Sequence, residues 1–336
     1  MKTRYLLALL AGLSMATAPF AIAQRPAHSH AFVWDSIHGM KDLGTLGGRN
    51  SYALGINDSG EVVGYSELAD HTTHAFTWTQ AGGLVDLGVL ARRNSTQAAA
   101  INSAGNIAGT GIGDGLFDDV PAFFIPPNTW IPLTAPSDYT LNFSFGINDY
   151  NQLTGQFYSG AVHAFFWEPA TGAFVFLPIF PGGFHTVGNA INNSAHITGT
   201  GSAADGAFHA LFWTRGGGTQ DIGVLNGSTY TAGGAINDND EVVGYNDPEL
   251  AGFYWSQATG MLALQSLGGT MSPAFGINRL GMIAGYSSLP DGTTHATLWN
   301  DHTSVPQDLG SLGNHGNSFA RGLNNRGQVV GYSDAR

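Results

Sequence analysis

Apolar and polar positions along this chain repeat in a fixed order. The stretch Ile56-Asn57-Asp58-Ser59-Gly60-Glu61-Val62-Val63-Gly64-Tyr65-Ser66 returns, degraded to varying degrees, at Ile101, Ile147, Ile191, Ile236, Ile277 and Leu323. The successive steps are 45, 46, 44, 45, 41 and 46 residues. Self-similarity at one period, seven times over, is the mark of a repeat architecture.

Within each period four short strands can be read. The first is crowded with small residues, as in Ala53-Leu54-Gly55-Ile56 and Ala98-Ala99-Ala100-Ile101. A turn carrying Asn, Asp and Gly, the residues tight hairpins prefer, leads into Glu61–Ser66. The next strand is apolar on both faces, His74-Ala75-Phe76-Thr77-Trp78, with copies at His30–Trp34, Pro121–Ile125, His163–Trp167, His209–Trp213, Ala251–Trp255 and His295–Trp299. A strand apolar on both faces is covered on both faces. A Gly-containing turn then precedes Leu84-Val85-Asp86-Leu87-Gly88 and its relatives.

Seven meanders of four strands predict an all-β fold, a seven-bladed β-propeller of four-stranded antiparallel blades. The small-residue strand fits the axis, where blades converge, and the aromatic strand fits the middle of a blade. A β-solenoid is the rival, but it usually has shorter coils and no hairpin inside each repeat. The chain enters on an aromatic strand at His30 and leaves on Gln328–Tyr332. This phase predicts one blade shared between N- and C-terminal strands, which closes the ring and leaves no open edge. The expected organisation is a signal peptide over residues 1–23, a linker over 24–29 and one propeller domain over 30–336.

The paired signatures His-Ala-Phe-x-Trp and Asp-Leu-Gly-Thr-Leu-Gly-Gly, together with Ile-Asn-x-x-Gly-x-Val-Val-Gly-Tyr-Ser, resemble the HAF family of extracellular repeat proteins. The resemblance runs from Ser29 to Ser333. It implies bacterial export and a repeat architecture, and no molecular activity. The copy over Pro121–Gly155 departs most, with Pro121 in place of His and its tryptophan moved to Trp130.

Composition sharpens the compartment. Lys2 and Arg4, an apolar run from Tyr5 to Met15 and the small-residue site Ala21-Ile22-Ala23 form a secretion signal. The apolar run is too short to span a bilayer, so no integral membrane segment is expected. There is no Cys, hence no disulfide or lipidated N-terminus. Removing Lys2 and Arg4 leaves 10 basic against 24 acidic residues, a formal charge of −14. That balance excludes nucleic acid and anionic membranes as natural partners, since both require clustered positive charge. A secreted or periplasmic monomer without cofactor is expected.

Candidate chemistry is sparse. The repeated His30, His74, His163, His209 and His295 would sit one per blade, too far apart to share a metal ion, and are read as structural. Asn57 and its six copies serve the turn, and the seven tryptophans are read as core. Asp238, Asp240 and Glu241, or Asp114, Asp118 and Asp119, could offer oxygens to calcium but lack the alternating spacing of a calcium loop, so no metal site is expected. No nucleophile elbow, zinc motif or phosphate loop is present. Paired carboxylates assemble in space and leave no motif.

The loops vary while the strands do not. Connections between blades and those preceding each aromatic strand share one rim in this topology. Arg49, Arg92, Arg93, His185 and His315 are therefore the expected ligand-contact residues. The expected function is a binding scaffold for polysaccharide or protein at this rim. An extracellular polysaccharide hydrolase or lyase, with acids at the central mouth, is the alternative, and a self-assembling surface-layer component a third reading. Intact-mass analysis of exported material should give a chain beginning at Gln24, and finding Met1 retained there would defeat the export reading.

Overall fold

The computed structural model describes residues 28–113, 119–126, 129–134, 140–313 and 316–335. The expected signal peptide and its cleavage site lie outside the described residues. Strands are numbered in chain order. β1 (His28–Asp35) and β2 (Gly39–Asp42) are followed by β3 (Gly47–Ile56), β4 (Val62–Leu68), β5 (Thr73–Thr79) and β6 (Gly83–Asp86). Next come β7 (Ser95–Ile101), β8 (Ile107–Ile112), β9 (Val120–Ile125), β10 (Thr129–Pro132), then β11 (Thr140–Ile147), β12 (Leu153–Tyr158), β13 (Val162–Glu168) and β14 (Ala173–Phe176). The chain continues with β15 (Thr186–Ile191), β16 (Ile197–Ser202), β17 (Phe208–Thr214), β18 (Gly218–Gly223), β19 (Tyr230–Ile236), β20 (Val242–Asp247), β21 (Gly252–Ser256) and β22 (Gly260–Ala263). It ends with β23 (Ala274–Ile277), β24 (Ile283–Ser288), β25 (Thr294–Trp299), β26 (Gln307–Asp308), β27 (Ser318–Leu323) and β28 (Val329–Ala335).

Pairing is antiparallel within sets of four: β3–β6, β7–β10, β11–β14, β15–β18, β19–β22 and β23–β26. Parallel pairs, Phe208 with Tyr230 and Leu46 with Leu68, link neighbouring sets. The remaining set has the order β2-β1-β28-β27, so both chain ends build one sheet. β1 pairs with β28 from His28↔Ala335 to Trp34↔Val329, and it begins two residues before the expected start at His30. The chain is an all-β propeller.

Among the described residues, eight buried clusters fill the gaps between adjacent sets. Val33 and Val330 meet Ile56, Phe76 and Trp78 across one gap, and Ala296 and Leu298 meet Phe32 and Trp34 across another. Trp78, Trp213, Trp255 and Trp299 are buried, as core tryptophans should be. In β9 the tryptophan position is filled by Phe124, which faces Ile107 as Trp78 faces Val62. The sequence alignment of Pro121 with the repeated histidine is therefore off by one: Pro121 takes the place of Ala75. Trp130 stands 5.0 Å from the Phe124 ring and supplies the missing bulk.

The repeated motifs explain themselves in this frame. His30, His74, His209 and His295 on the third strand place Nδ1 2.8–2.9 Å from Asp42, Asp86, Asp221 and Asp308 on the fourth. The same aspartates accept the N–H of the glycine two residues on, Gly44, Gly88, Gly223 and Gly310, whose positive φ makes that turn possible. The His–Ala–Phe and Asp–Leu–Gly signatures are two halves of one clasp on the outer edge of the blade. Gly64 answers a different demand, because a Cβ there would lie 1.9 Å from the carbonyl oxygen of Tyr52.

The seven turn asparagines close the ring. Each is 3–5% exposed. Asn57 Oδ1 accepts from the N–H groups of Ser59 and Glu61, holding its own turn, as the sequence suggests. Its Nδ2 also donates to the carbonyl oxygen of Asn102. The same bond runs from Asn102 to Asn148, Asn148 to Asn192, Asn192 to Asn237, Asn237 to Asn278 and Asn278 to Asn324, at 2.9–3.1 Å. Asn324 then donates to Asn57, and the circle is complete.

Asn278 isolates the ring bond, because Met282 stands where Glu61 or Gln328 would add a second partner for the amide. Asn278→Asp keeps the acceptors of the turn and removes the donor to Asn324. It should lower stability by about 1–3 kcal/mol, the cost of leaving a buried polar group unpaired. Urea unfolding measures this, and an unchanged midpoint would remove the ring from the account of stability.

Candidate functional site

The innermost strand of each set runs toward its asparagine turn. At its end Ile56, Ile101, Ile147, Ile191, Ile236, Ile277 and Leu323 form a collar around the axis, between two compartments of a central channel.

On the turn side of the collar lies a shallow mouth of about 190 Å³. Its outer ring is made by the residue after each asparagine: Asp58, Ser103, Asp149, Asn193, Asp238, Arg279 and Asn325. These side chains stitch the turns together. Asp149 accepts from the Ser103 N–H, and Asp58 accepts from both the N–H and the Nδ2 of Asn325. Asn193 bridges Asp149 and Asp238, and Arg279 lies 3.6 Å from Asp238 and 4.0 Å from Asp58. Burial pushes the Asp149 carboxyl up, but hydrogen bonds from Ser103 and Asn193 and the charge of Arg279 outweigh it and hold it below the usual carboxylate range. A general acid needs the opposite shift. Asp240 and Glu241 are similarly engaged, by Asn192 and His196 and by Asn237 and Tyr254.

On the other side of the collar the channel widens to about 330 Å³. In all seven sets the pairing of the innermost strand slips by one residue at the same place, between Ala53 and Gly55 and at each equivalent position. The residue left unpaired stands three positions before each asparagine: Leu54, Ala99, Phe145, Asn189, Gly234, Phe275 and Arg321. All seven line the wide compartment. A bulge re-aims a side chain, and here it turns one residue per repeat to the axis.

Arg321 brings the one charge to that lining among the described residues. Its guanidinium lies 4.4 Å from the Phe275 ring centroid and 5.6 Å from that of Tyr332. Nη2 reaches the Tyr332 hydroxyl at 3.4 Å, while Nε is buried without a hydrogen-bond partner. Around it runs a belt of aromatic rings at 4.9–6.4 Å spacing, through Tyr65, Tyr52, Tyr332, Phe319, Tyr286, Phe275, Tyr245 and Tyr230. Burial pushes the Tyr245 phenol up and that of Tyr286 up to about 12. Sequence reading passed over this constellation. The signal was present: position −3 from the asparagine changes chemistry in every repeat while its neighbours stay small.

The expected rim residues do not form one cluster of exposed cations. Arg49 and Arg92 are exposed, Arg92 in a left-handed conformation at φ 64°. Arg93 is partly buried, with Nη1 donating to the Arg92 carbonyl oxygen and Nε buried without a partner. His185 is buried, and its Nδ1 accepts the Val162 N–H at 2.8 Å. It serves packing between β13 and the loop before β15, while its neighbour Phe184 is exposed. His315 lies outside the described residues.

Burial, with a smaller contribution from the charge of His163, holds the His185 imidazole below its ordinary pKa, and burial does the same for His163. Depressed histidine pKa values mean that the unfolded chain binds more protons near its own pKa of about 6.5. Their contribution to stability is complete above that pH and is lost as pH falls through it toward the folded values. The melting temperature of His163→Gln/His185→Gln should therefore fall less than that of the wild type between pH 7.5 and 5.5. Parallel curves in a pH series would overturn the assignment.

No family model and no curated protein matches the chain. Among solved structures it is similar to the β-propeller domain of the trilobed protease from Pyrococcus furiosus, with TM-score 0.56, 8% identity, and coverage of 87% of this chain and 95% of that one. It is also similar to a protein designated TolB from Agrobacterium tumefaciens, with TM-score 0.53 and 10% identity over 93% of this chain and 100% of that chain. Virginiamycin B lyase from Staphylococcus aureus matches with TM-score 0.52 and 8% identity over 84% of this chain and 94% of the lyase. At such identities the likeness establishes the fold, a β-propeller, and nothing of the chemistry.

Proposed function

We propose that this chain is an exported binding scaffold of the HAF type that takes a polysaccharide or protein partner on the face carrying its interblade loops. The observation behind this reading is where the sequence stops repeating. Strands, asparagine turns and His–Asp clasps recur around the ring, whereas change concentrates in the loops bearing Arg49, Arg92 and Phe184 and in the residues at the bulges. Antiparallel pairing puts these loops and the connections such as Glu67–Thr73 at the same end of the blades, on the wide side of the channel. A rigid frame with variable loops at one end is the usual layout of a recognition surface.

Catalysis by acids at the opposite mouth is the weaker reading. Asp58, Asp149 and Asp238 spend their oxygens on the turns and on Arg279, and Asp149 stays ionised where a proton donor is required.

Screening the purified protein against a panel of polysaccharides and envelope extracts, with product analysis alongside, tests this. Retention without turnover is the expected result, and release of oligosaccharides would make the chain an enzyme. Arg49→Ala/Arg92→Ala should weaken retention by about tenfold, a loss of roughly 1.4 kcal/mol. Retention that survives this change but is lost on altering Asp58 and Asp238 would move the contact surface to the other face.

A further inference from the structure

We propose that the wide compartment of the central channel is a binding site for a small hydroxylated carboxylate, of the sugar-acid class, whose carboxylate pairs with Arg321. Three observations converge on it. The first is an uncompensated charge. Arg321 makes no ion pair among the described residues, and no carboxylate lines the compartment. Its neighbours are phenols and a phenyl ring, and burial keeps Tyr245 and Tyr286 protonated, so they cannot act as counter-ions. Arg321 is partly buried, with its Nε covered, and charges withdrawn from water in this way are ordinarily paired. In a chain with 24 acidic and 12 basic residues, a guanidinium without a carboxylate partner among the described residues suits an anion.

The second observation is the pair of unsatisfied atoms in the same compartment. Arg321 Nε is a donor without an acceptor, and Gln97 Oε1 is an acceptor without a donor. A guanidinium presents a planar fork that a carboxylate matches at two points, and because Nε is covered here the side chain must turn toward the channel to offer that edge. Gln97 Oε1 is covered in the same way, and a hydroxyl in the channel reaches it only after a similar turn. The third observation is the wall. Phe145, Phe275, Tyr230 and Tyr245 give the compartment an aromatic lining suited to the apolar side of a sugar ring, and the volume of about 330 Å³ falls at the small end of ligand sites.

The site is built by the fold and does not depend on the rim. Arg321 points to the axis because it occupies the bulge of β27, and Phe275 occupies the corresponding bulge of β23 next to it. The small residues beside each bulge leave the channel open at this level.

Isothermal titration of the whole mature chain with sodium glucuronate and with glucose tests the proposal. Saturable binding of glucuronate at one site per chain is expected, with none detectable for glucose. Arg321→Met should weaken glucuronate by about tenfold or more, since a charge-assisted bidentate pair is lost. Arg49→Ala/Arg92→Ala should bind it as the wild type does, which separates this site from the rim. A uronate trimer in a second arm distinguishes the sources of the ligand: tighter binding than the monomer assigns the compartment to a chain end, weaker binding to the free acid. The ligand-free melting temperature supplies an independent check. Removing an unpaired charge should leave Arg321→Met at or above the wild type. A marked drop in that temperature, no saturable binding of glucuronate, or binding undiminished in Arg321→Met would each overturn the proposal.

Discussion

The circle of Asn–Asn hydrogen bonds is the constraint on which the rest of the molecule depends. A propeller holds its blades together mainly by apolar packing, which is non-directional and tolerates sliding of one sheet over another. The clusters between blades here are of that kind. What fixes the blades in height is a directional bond at the narrowest radius, from each Asn Nδ2 to the next Asn carbonyl. Because the amide oxygen also organises its own turn, one residue ties local geometry to ring geometry. Leaving any member unpaired would bury an unsatisfied donor or carbonyl close to the axis.

That anchoring lets the inner strand carry an irregularity in every repeat. A bulge interrupts the ladder and leaves a residue unpaired, which is tolerable where strands on both sides are clamped. The clamp lies three residues away, at the asparagine. The result is a channel whose wall can take any side chain, from Gly234 to Arg321, without disturbing the blade behind it. The wide compartment thus gains its chemistry from single positions, while the turn-side mouth spends its polar groups on holding the ring shut. Proton chemistry is ill served at that mouth, and anion recognition is better served by the aromatic-lined compartment beyond the collar.

The terminal closure belongs to the same logic. β1 finds β28 across the whole chain, so an exposed edge at either end is removed by pairing. The ring bond from Asn324 to Asn57 spans the same seam at the axis. Fastening at both radii makes the seam resemble the other junctions, and the blade shared by the two ends carries, between β1 and β2, the same kind of clasp as its neighbours, His30–Asp42.

Period, strand order, the inner place of the small-residue strand and the shared blade were all legible in the sequence, because a repeated pattern averages out the ambiguity of any single copy. Ile-Asn-x-x-Gly, His-Ala-Phe and Asp-Leu-Gly each mark a local conformation, and local conformation is set by near neighbours. The turn role of Asn57 could be read that way, but its bond to Asn102 could not, since it joins residues 45 apart. The same limit explains His185, which reads as a loop cation and is buried against Val162, and the one-residue offset of β9, where Trp130 fills a gap from another strand. Arg321 shows the division most clearly. The sequence places it next to small residues in a strand, where alternation alone does not say which way it faces. Only the bulge, a property of the pairing between two strands, turns it to the axis, and only the assembled ring surrounds it with aromatic rings and, among the described residues, no carboxylate.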